Sequence, residues 1–146
     1  MLFKKHLFSS SEKKQIVAAI AAAETQTSGE IRVHTEPRCK GDVLDRAVEV
    51  FRKLEMHKTA KRNAVLIYLA YDDKRFAIIG DKGINEVVPA DFWDTTKDEM
   101  AKHFKQGQFQ TGVIHAINES AKHLAKYFPH GAEDDINQLS NDISEG

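Results

Sequence analysis

The spacing of apolar residues along the chain predicts its first three elements. An apolar stripe with helical spacing covers about residues 10–27, and Ser9 and Glu12 stand at capping-box spacing at its start. Residues 30–36 alternate apolar and polar side chains, which is typical of a strand covered on one face. A second apolar stripe covers about residues 42–56. These segments predict a helix, a strand and a helix, in that order.

The next two strands are predicted to form a hairpin. Residues 63–71 are apolar at both even and odd positions, as in a central strand covered on both faces. Asp72 and Asp73 favour a turn, and a carboxylate pair for acid–base or metal chemistry is the alternative. Residues 75–80 follow too closely for a crossover, so this strand is expected to be antiparallel to the previous one. The first two strands are joined by a helix and are therefore expected to be parallel.

Two further helices complete the predicted order of elements. A loop is expected over residues 81–86, and a third helix begins at Pro89 or Asp91 and ends at Gly107. A fourth helix is predicted over about residues 110–128. The resulting order, αβαββαα, predicts an α/β fold in which a small mixed sheet lies between helices in a three-layer α/β/α sandwich.

The length of 146 residues fits one domain with an acidic extension. We expect residues 1–129 to form a single α/β domain and residues 130–146 to form a C-terminal tail that carries no Lys or Arg. Ile136, Leu139 and Ile143 would let this tail dock as a short amphipathic turn, and a frayed terminus is the alternative.

Composition narrows the class of protein without revealing an activity. Lys and Arg number 21 and Asp and Glu number 22, and a net charge of -1 argues against a nucleic-acid-binding protein. The single cysteine excludes an internal disulfide. No apolar run approaches the ~20 residues that span a membrane, and the N-terminus lacks the pattern of a secretory signal. We therefore expect a soluble, cytoplasmic protein.

Carboxylates are predicted to meet at one edge of the sheet. With two parallel strands and an antiparallel third, the starts of the first two strands and the end of the third share an edge that carries Glu30, Asn63 and Asp81. The third helix begins near the same edge with Asp91 and Asp94. Oxygen ligands without matching cations suit a hard cation, so the predicted metal ligands are Glu30, Asp81, Asp91 and Asp94 and the predicted cofactor is calcium. The alternative is that the two helical aspartates only stabilise a helix N-terminus and that Glu30 is solvated.

Two other candidate sites are weaker. His115, Glu119 and His123 lie four residues apart on the fourth predicted helix, a spacing that suits zinc, although a solvated polar face is the alternative. Cys39 invites comparison with thiol phosphatases, but the residue six positions later is Asp45, whose charge would repel phosphate. We therefore interpret Cys39 as an ordinary loop residue.

Four segments resemble the motifs of the TPM domain family, and this chain is most similar to its soluble bacterial branch. They are residues 29–33, 62–68, 73–84 and 104–112. The resemblance covers about residues 10–130 and implies an α/β/α sandwich and bound calcium. In that family, plant members are described as acid phosphatases and other members as accessory or regulatory domains. Two departures stand out, Asp81 in place of the first glycine of a G-x-G and Asp91 one position later than the usual Pro-Asp.

Three functions follow as hypotheses. The first is a calcium-binding regulatory or interaction domain without a catalytic nucleophile, with an unknown protein partner. The second, which rests on the resemblance, is a metal-dependent acid phosphatase acting on phosphomonoesters, in which the acids hold the metal and Arg62 or Lys82 steadies the phosphate. The third is a structural domain that binds neither metal nor substrate.

Overall fold

The computed structural model describes residues 7–131 and 139–146. In that part of the chain, the secondary structure consists of helices and short strands. In chain order the elements are α1 (Ser10–Ala23), β1 (Glu30–Glu36), α2 (Val43–Lys53), β2 (Ala64–Ala70), β3 (Arg75–Gly80), α3 (Lys82–Asn85), α4 (Asp94–Lys105), α5 (Phe109–Leu124) and β4 (Ser144–Glu145), with a 3-10 turn at Met56–Lys58. None of the described helices is long and apolar enough to cross a membrane.

The strands form one mixed sheet in the order β3-β2-β1-β4. β1 and β2 are parallel, with Glu30 opposite Ala64, and β2 and β3 form the antiparallel hairpin, with Val65 opposite Gly80. Both pairings confirm the prediction. β4 was not predicted, and it lies parallel to the other edge of β1 with Ser144 opposite His34.

Helices cover both faces of this sheet, which confirms the α/β fold. Alternate residues of β1 and β2, such as Ile31 and Val65, pack in one core with α1, α4 and α5. The intervening residues of β2, such as Leu66 and Tyr68, pack in a second core with α2. All residues of β2 are buried, because this central strand has a helical layer on each side.

The helix starts follow local capping, whereas the ends differ from the prediction. Ser9 and Glu12 form the expected capping box, with bonds of 2.9 and 3.1 Å between backbone N–H and side-chain oxygen. α1 nevertheless ends at Ala23 and continues as turns as far as Thr27, whose N–H donates to the carbonyl oxygen of Ala23 at 3.2 Å. The N–H of Ser28 donates to the carbonyl oxygen of Phe128 at 2.9 Å, and the Thr27 hydroxyl donates to the same oxygen. The chain therefore leaves the helical turns at Ser28, where its backbone is hydrogen-bonded to Phe128.

Two more predictions need correction. The predicted loop at residues 81–86 contains the one-turn helix α3, which Asp81 caps by accepting a 2.7 Å bond from the N–H of Lys82. α4 begins at Asp94, after turns in which Phe92 N–H donates to Pro89 and Asp94 N–H donates to Asp91.

The C-terminal tail contributes to both cores. Leu139 packs against the core on the α2 side and Ile143 against the core on the opposite side. Ile136, the other apolar residue expected to dock, lies outside the described residues.

Candidate functional site

As predicted, the starts of β1 and β2 and the end of β3 lie at one edge of the sheet. The N–H of Glu30 donates to the carbonyl oxygen of Asn63 at 3.3 Å, and the N–H of Asp81 donates to that of Ala64 at 3.0 Å. Glu30, Asn63 and Asp81 are each at most 7% exposed. We call these three residues the amino edge, because Glu30 begins β1, Asn63 precedes β2 and Asp81 follows β3 at the same edge of the sheet.

The Asp81 carboxylate is already paired with a cation. Arg62 Nε lies 2.6 Å from Asp81 Oδ2, and a terminal nitrogen of the same guanidinium lies 2.9 Å from Oδ1. The hydrogen bond to Asp81 raises the pKa of Arg62. The expectation of an acidic edge without matching cations is therefore wrong at Asp81.

The sheet separates the four predicted metal ligands into two pairs. Asp81 lies beside Ile79 in a cavity on the α2 side, and strand alternation puts Glu30 on the same face as Glu36, which contacts α2. Asp91 and Asp94 are exposed and lie just before and at the start of α4, which packs with α5 on the other face. Among the described residues, no group of three His, Cys, Asp or Glu side chains is arranged to hold a metal ion. Calcium binding by these residues stays a prediction.

A glycine after Asp81 lets two loops meet at the amino edge. The N–H of Gly83 donates to the carbonyl oxygen of Arg62 at 2.8 Å, and Arg62 has a left-handed backbone with φ of 50°. A Cβ at Gly83 would collide with the carbonyl oxygen of Lys61 and lie 2.7 Å from that of Arg62. Only glycine fits there without a backbone shift, so the close approach places Arg62 against Asp81.

Cavities that bind small ligands have volumes of about 300–1,000 Å³. One of about 530 Å³ lies beside the Arg62–Asp81 pair. We call it the α2 cavity. Its apolar wall comes from Val48, Phe51 and Ile79, and charged side chains including Arg52, Arg62 and Lys82 surround it. On the outer side of α2, Leu44 and Val48 are 50% and 45% exposed, so the apolar wall continues onto the surface. This combination of apolar wall and charged rim suits the binding of another molecule.

The three residues considered as zinc ligands, His115, Glu119 and His123, take part in two separate contacts. His115 is hydrogen-bonded to Glu99 of α4, and this bond lowers the pKa of Glu99. His123 Nε2 lies 3.4 Å from a carboxylate oxygen of Glu119. Within the part of the chain that is described, the three residues do not gather around one point.

The sequence analysis missed a buried polar cluster at the other end of β1. His34 Nδ1 lies 2.9 Å from Ser144 Oγ, and His34 Nε2 lies 3.0 Å from Glu36 Oε1. Arg46 donates two bonds of 2.8 Å to the Glu36 carboxylate, which also accepts a bond from the Tyr68 hydroxyl. We call these five residues the carboxyl cluster, because β1 and β2 end here.

Burial and hydrogen bonding fix the charges of this cluster. Burial by itself would raise the pKa of Glu36, but the hydrogen bonds from Arg46, Tyr68 and His34 outweigh it and lower the pKa to about 2. Burial lowers the pKa of His34, with the Glu36 carboxylate acting in the opposite direction. At neutral pH the cluster therefore contains an ionised Glu36 and a neutral His34.

One sequence signal could have indicated the carboxyl cluster. Positions 30, 32, 34 and 36 of β1 are all polar, and the prediction assigned that side of the strand to solvent. The structure buries six of the seven residues of β1, which corrects the prediction of a strand covered on one face. His34 and Glu36 are ionisable residues at alternate positions of a short strand. Such a pair can belong to a buried hydrogen-bonded network as well as to a solvent-exposed face.

Comparisons with known proteins agree on the fold. The chain matches the family model of the TPM domain over residues 3–123. It is similar to the NMR structure of the BA42 protein from the psychrophilic bacterium Bizionia argentinensis, with 50% identity, a TM-score of 0.91 and coverage of 100% of both chains. A comparison with curated proteins finds no match.

Two more distant structures show the same fold. One is the N-terminal domain of a protein from P. gingivalis, with 18% identity, a TM-score of 0.71 and coverage of 87% of this chain and 83% of that one. The other is the N-terminal domain of a protein from Corynebacterium glutamicum, with 15% identity, a TM-score of 0.62 and coverage of 86% and 76%.

Proposed function

The chain belongs to the TPM domain family, and from that premise we propose that it is a calcium-responsive interaction domain. One observation carries the proposal, namely the Arg62–Asp81 ion pair in the wall of the α2 cavity. In this pair the Asp81 carboxylate could exchange the Arg62 guanidinium for a calcium ion. It lies next to the α2 cavity, a surface that could bind a partner. The cation site and the binding surface would then share a residue.

The amino edge offers a partial fit to a hard cation. Glu30 and Asp81 are buried carboxylates on one face and one edge, and carboxylate oxygens are ligands that calcium prefers. Asp81 already holds a positive group, so its surroundings tolerate a cation. The Arg62 side chain is 44% exposed and would be able to leave Asp81 without unfolding the sheet. A bound calcium ion would supply the positive charge that Arg62 supplies in its absence.

The proposed response of the binding surface follows from the position of Arg62. Once released from Asp81, the guanidinium would remain at the rim of the α2 cavity with all its N–H groups available. It would add to the positive charge of Arg52 beside the exposed apolar residues Leu44 and Val48. A protein partner with an acidic group next to an apolar side chain would then bind more tightly.

Thermal unfolding of metal-stripped protein, with and without excess Ca²⁺, tests the cation site. A ligand that binds only the folded state raises stability, by about 2.7 kcal/mol at a hundred times its dissociation constant. We expect a shift with the natural chain, and a much smaller shift for Asp81→Asn when each protein is compared with its own metal-free form. NMR amide shifts on addition of Ca²⁺ should be largest near Glu30 and Asp81.

Asp91→Asn is the matched control, because it removes the same charge on the other face of the sheet. It should keep the full calcium response if the site consists of Glu30 and Asp81. An equal loss in both variants would contradict a site that consists of Glu30 and Asp81 alone. No response of the natural chain to Ca²⁺ would contradict the proposal.

A metal-dependent acid phosphatase is the second candidate. The observation in its favour is that Arg62 and Lys82, which could steady a phosphoryl group, line the same cavity as Asp81. The natural chain and Asp81→Asn can be assayed with p-nitrophenyl phosphate and Ca²⁺ alongside the thermal measurement. Turnover that depends on the metal and disappears in Asp81→Asn would favour the phosphatase, whereas calcium binding without turnover favours the interaction domain.

A further inference from the structure

A second cavity lies at the opposite end of β1, next to the carboxyl cluster. It has a volume of about 550 Å³, and its lining includes three cationic residues, two acidic ones and the last residue of β4's segment: Arg38, Lys40, Arg46, Glu36, Glu49 and Gly146. We call it the carboxyl cavity. In open α/β sheets, ligands commonly bind in the crevice outside the carboxyl ends of parallel strands, which is where this cavity lies. The calcium proposal makes no use of it.

Hydrogen bonds hold in place the loop that carries Arg38 and Lys40, two cationic residues of the carboxyl cavity. The N–H of Asp72 donates to the carbonyl oxygen of Pro37 at 2.8 Å, and the N–H of Cys39 donates to Asp73 Oδ2 at 2.7 Å. Arg75 donates a 2.6 Å bond to the carbonyl oxygen of Gly41. The residues around Arg38 and Lys40 are therefore tied to the β2–β3 hairpin at three points, and the backbone of the loop is fixed before any ligand arrives.

The side chains of this loop alternate between the core and the cavity. Cys39 is buried in the core on the α2 side, whereas Arg38 and Lys40 are exposed. Residues two apart in an extended segment lie about 6.5–7 Å apart. The loop therefore presents two positive groups side by side at the mouth of the cavity.

The third cation is held rigidly by the carboxyl cluster. Arg46 makes its two 2.8 Å bonds to Glu36 with Nε and one terminal nitrogen, so N–H groups of the guanidinium remain for a ligand. The negative charge of Glu36 is already offset by donors from Arg46, Tyr68 and His34. The second terminal nitrogen of Arg46 donates to Glu49 Oε1 at 3.4 Å. Glu49 also lines the cavity, but its side chain is 71% exposed, so a carboxylate of the ligand would take its place on Arg46. Nearby Asp42 is used as the cap of α2.

We propose that the carboxyl cavity binds a small di- or tricarboxylate. Guanidinium groups bind carboxylates with paired hydrogen bonds, as Arg46 already does with Glu36. Arg38 and Lys40 supply the positive charge, and Arg46, whose own charge is balanced by Glu36, supplies N–H donors. Groups at separate positions suit a ligand whose charges are spread over several ångströms better than a single compact anion. The volume of about 550 Å³ is ample for such a molecule.

The site is assigned to binding and not to hydrolysis. Ser144, His34 and Glu36 are spaced like a nucleophile, a base and an orienting acid. However, Ser144 and His34 are not among the described residues that line the cavity. Their hydrogen bond instead joins β4 to β1, so a ligand in the cavity would not meet the Ser144 hydroxyl.

NMR titration of the full, metal-stripped chain tests this proposal, with citrate and succinate as probes. Citrate should give saturable amide shifts over residues 36–46, with an affinity at least about tenfold above those of acetate and inorganic phosphate, about 1.4 kcal/mol. Arg38→Ala and Lys40→Ala should each weaken citrate binding several-fold. Lys82→Ala removes an exposed lysine at the other end of the sheet and should leave citrate binding unchanged.

Three results would overturn the proposal. They are the absence of saturable shifts, an equal response of Lys82→Ala and Lys40→Ala, and phosphate binding as tight as that of citrate. Arg38→Gln provides a milder variant if the alanine variant does not fold, as judged from the dispersion of its NMR spectrum. Asp81→Asn should bind citrate like the natural chain, so failure of the calcium proposal would leave this test intact.

Discussion

Two buried carboxylates on the α2 side of the sheet are each held by a bidentate arginine. Glu36 pairs with Arg46 and Asp81 pairs with Arg62. A buried carboxylate is costly unless it is both paired and hydrogen-bonded, and each of these receives further donors, from Tyr68 to Glu36 and from the Lys82 N–H to Asp81. At the residue scale, the positions of these acids are therefore determined by the partners that the fold brings to them.

Acidification should lower the free energy of unfolding in two stages. The pKa of His34 lies below its ordinary value of 6.5, so the unfolded chain binds a proton there first and stability falls as the pH drops below about 6.5. Glu36 stabilises the fold above its ordinary pKa of 4.5, and that contribution is lost as the pH falls towards about 2. The second stage should amount to about 3 kcal/mol, measured by urea unfolding across this pH range.

Variants at the two positions separate these stages. His34→Gln should flatten the upper part of the pH profile, and Glu36→Gln should flatten the lower part while lowering stability at neutral pH. Glu49→Gln is the matched control, because it removes an exposed carboxylate near the same arginine. A Glu36→Gln profile as steep as that of the natural chain between pH 4.5 and 2 would count against the assignment.

At the scale of elements, β4 is a two-residue strand held by contacts on several sides. The N–H of Gly146 donates to the carbonyl oxygen of Thr35 at 2.8 Å, and Ser144 meets His34 in the carboxyl cluster. Lys13 of α1 lies 3.1 Å from Glu145. β4 covers part of the outer edge of β1, and covering an edge protects a strand from pairing with other chains.

Removal of residues 144–146 should loosen β1 without unfolding the domain. Each lost hydrogen bond contributes roughly 1 kcal/mol, so we expect a total loss of about 1–3 kcal/mol and faster hydrogen exchange along β1. Urea unfolding and hydrogen–deuterium exchange would measure both effects. Glu145→Gln, which removes the charge that pairs with Lys13 and keeps the backbone of β4, should cost less than about 1 kcal/mol. A truncated chain with unchanged exchange in β1 would show that β4 does not stabilise this edge.

At the scale of the whole molecule, the two cavities lie at opposite ends of one sheet. β1 has seven residues, so the amino edge and the carboxyl cluster are about 20 Å apart along it. Each end has its own bidentate arginine and its own cavity, and the two described networks share no hydrogen bond. The fold can therefore be treated as a rigid sheet with two separate candidate sites.

This separation predicts that changes at the two ends are additive. The destabilisations caused by Glu36→Gln and Asp81→Asn should sum in the double variant to within about 0.5 kcal/mol, because the sites share no partner. Glu36→Gln combined with Arg46→Met is the contrasting pair, since these residues are in contact and should deviate from additivity. Urea unfolding of the six proteins measures both cycles, and a large interaction between Glu36 and Asp81 would refute the independence of the sites.

Several features of the fold could be predicted from the sequence because they depend on local patterns. The apolar residues at even and odd positions of β2 indicated a central strand covered on both faces. The helix between β1 and β2 indicated that these strands are parallel. Together with the short β2–β3 turn, these patterns placed Glu30, Asn63 and Asp81 at one edge. Periodicity and connection length are properties of short segments, so they are readable without knowledge of distant contacts.

Tertiary structure decided which partners these residues have. The pairing of Asp81 with Arg62 depends on the close packing of Gly83 under a left-handed loop, and the bond between His34 and Ser144 joins residues 110 positions apart. The alternation of polar residues in β1 is compatible with a solvated face and with a buried, hydrogen-bonded one. Only the elements that cover that face distinguish the two, because burial is a property of the packed molecule and not of a segment.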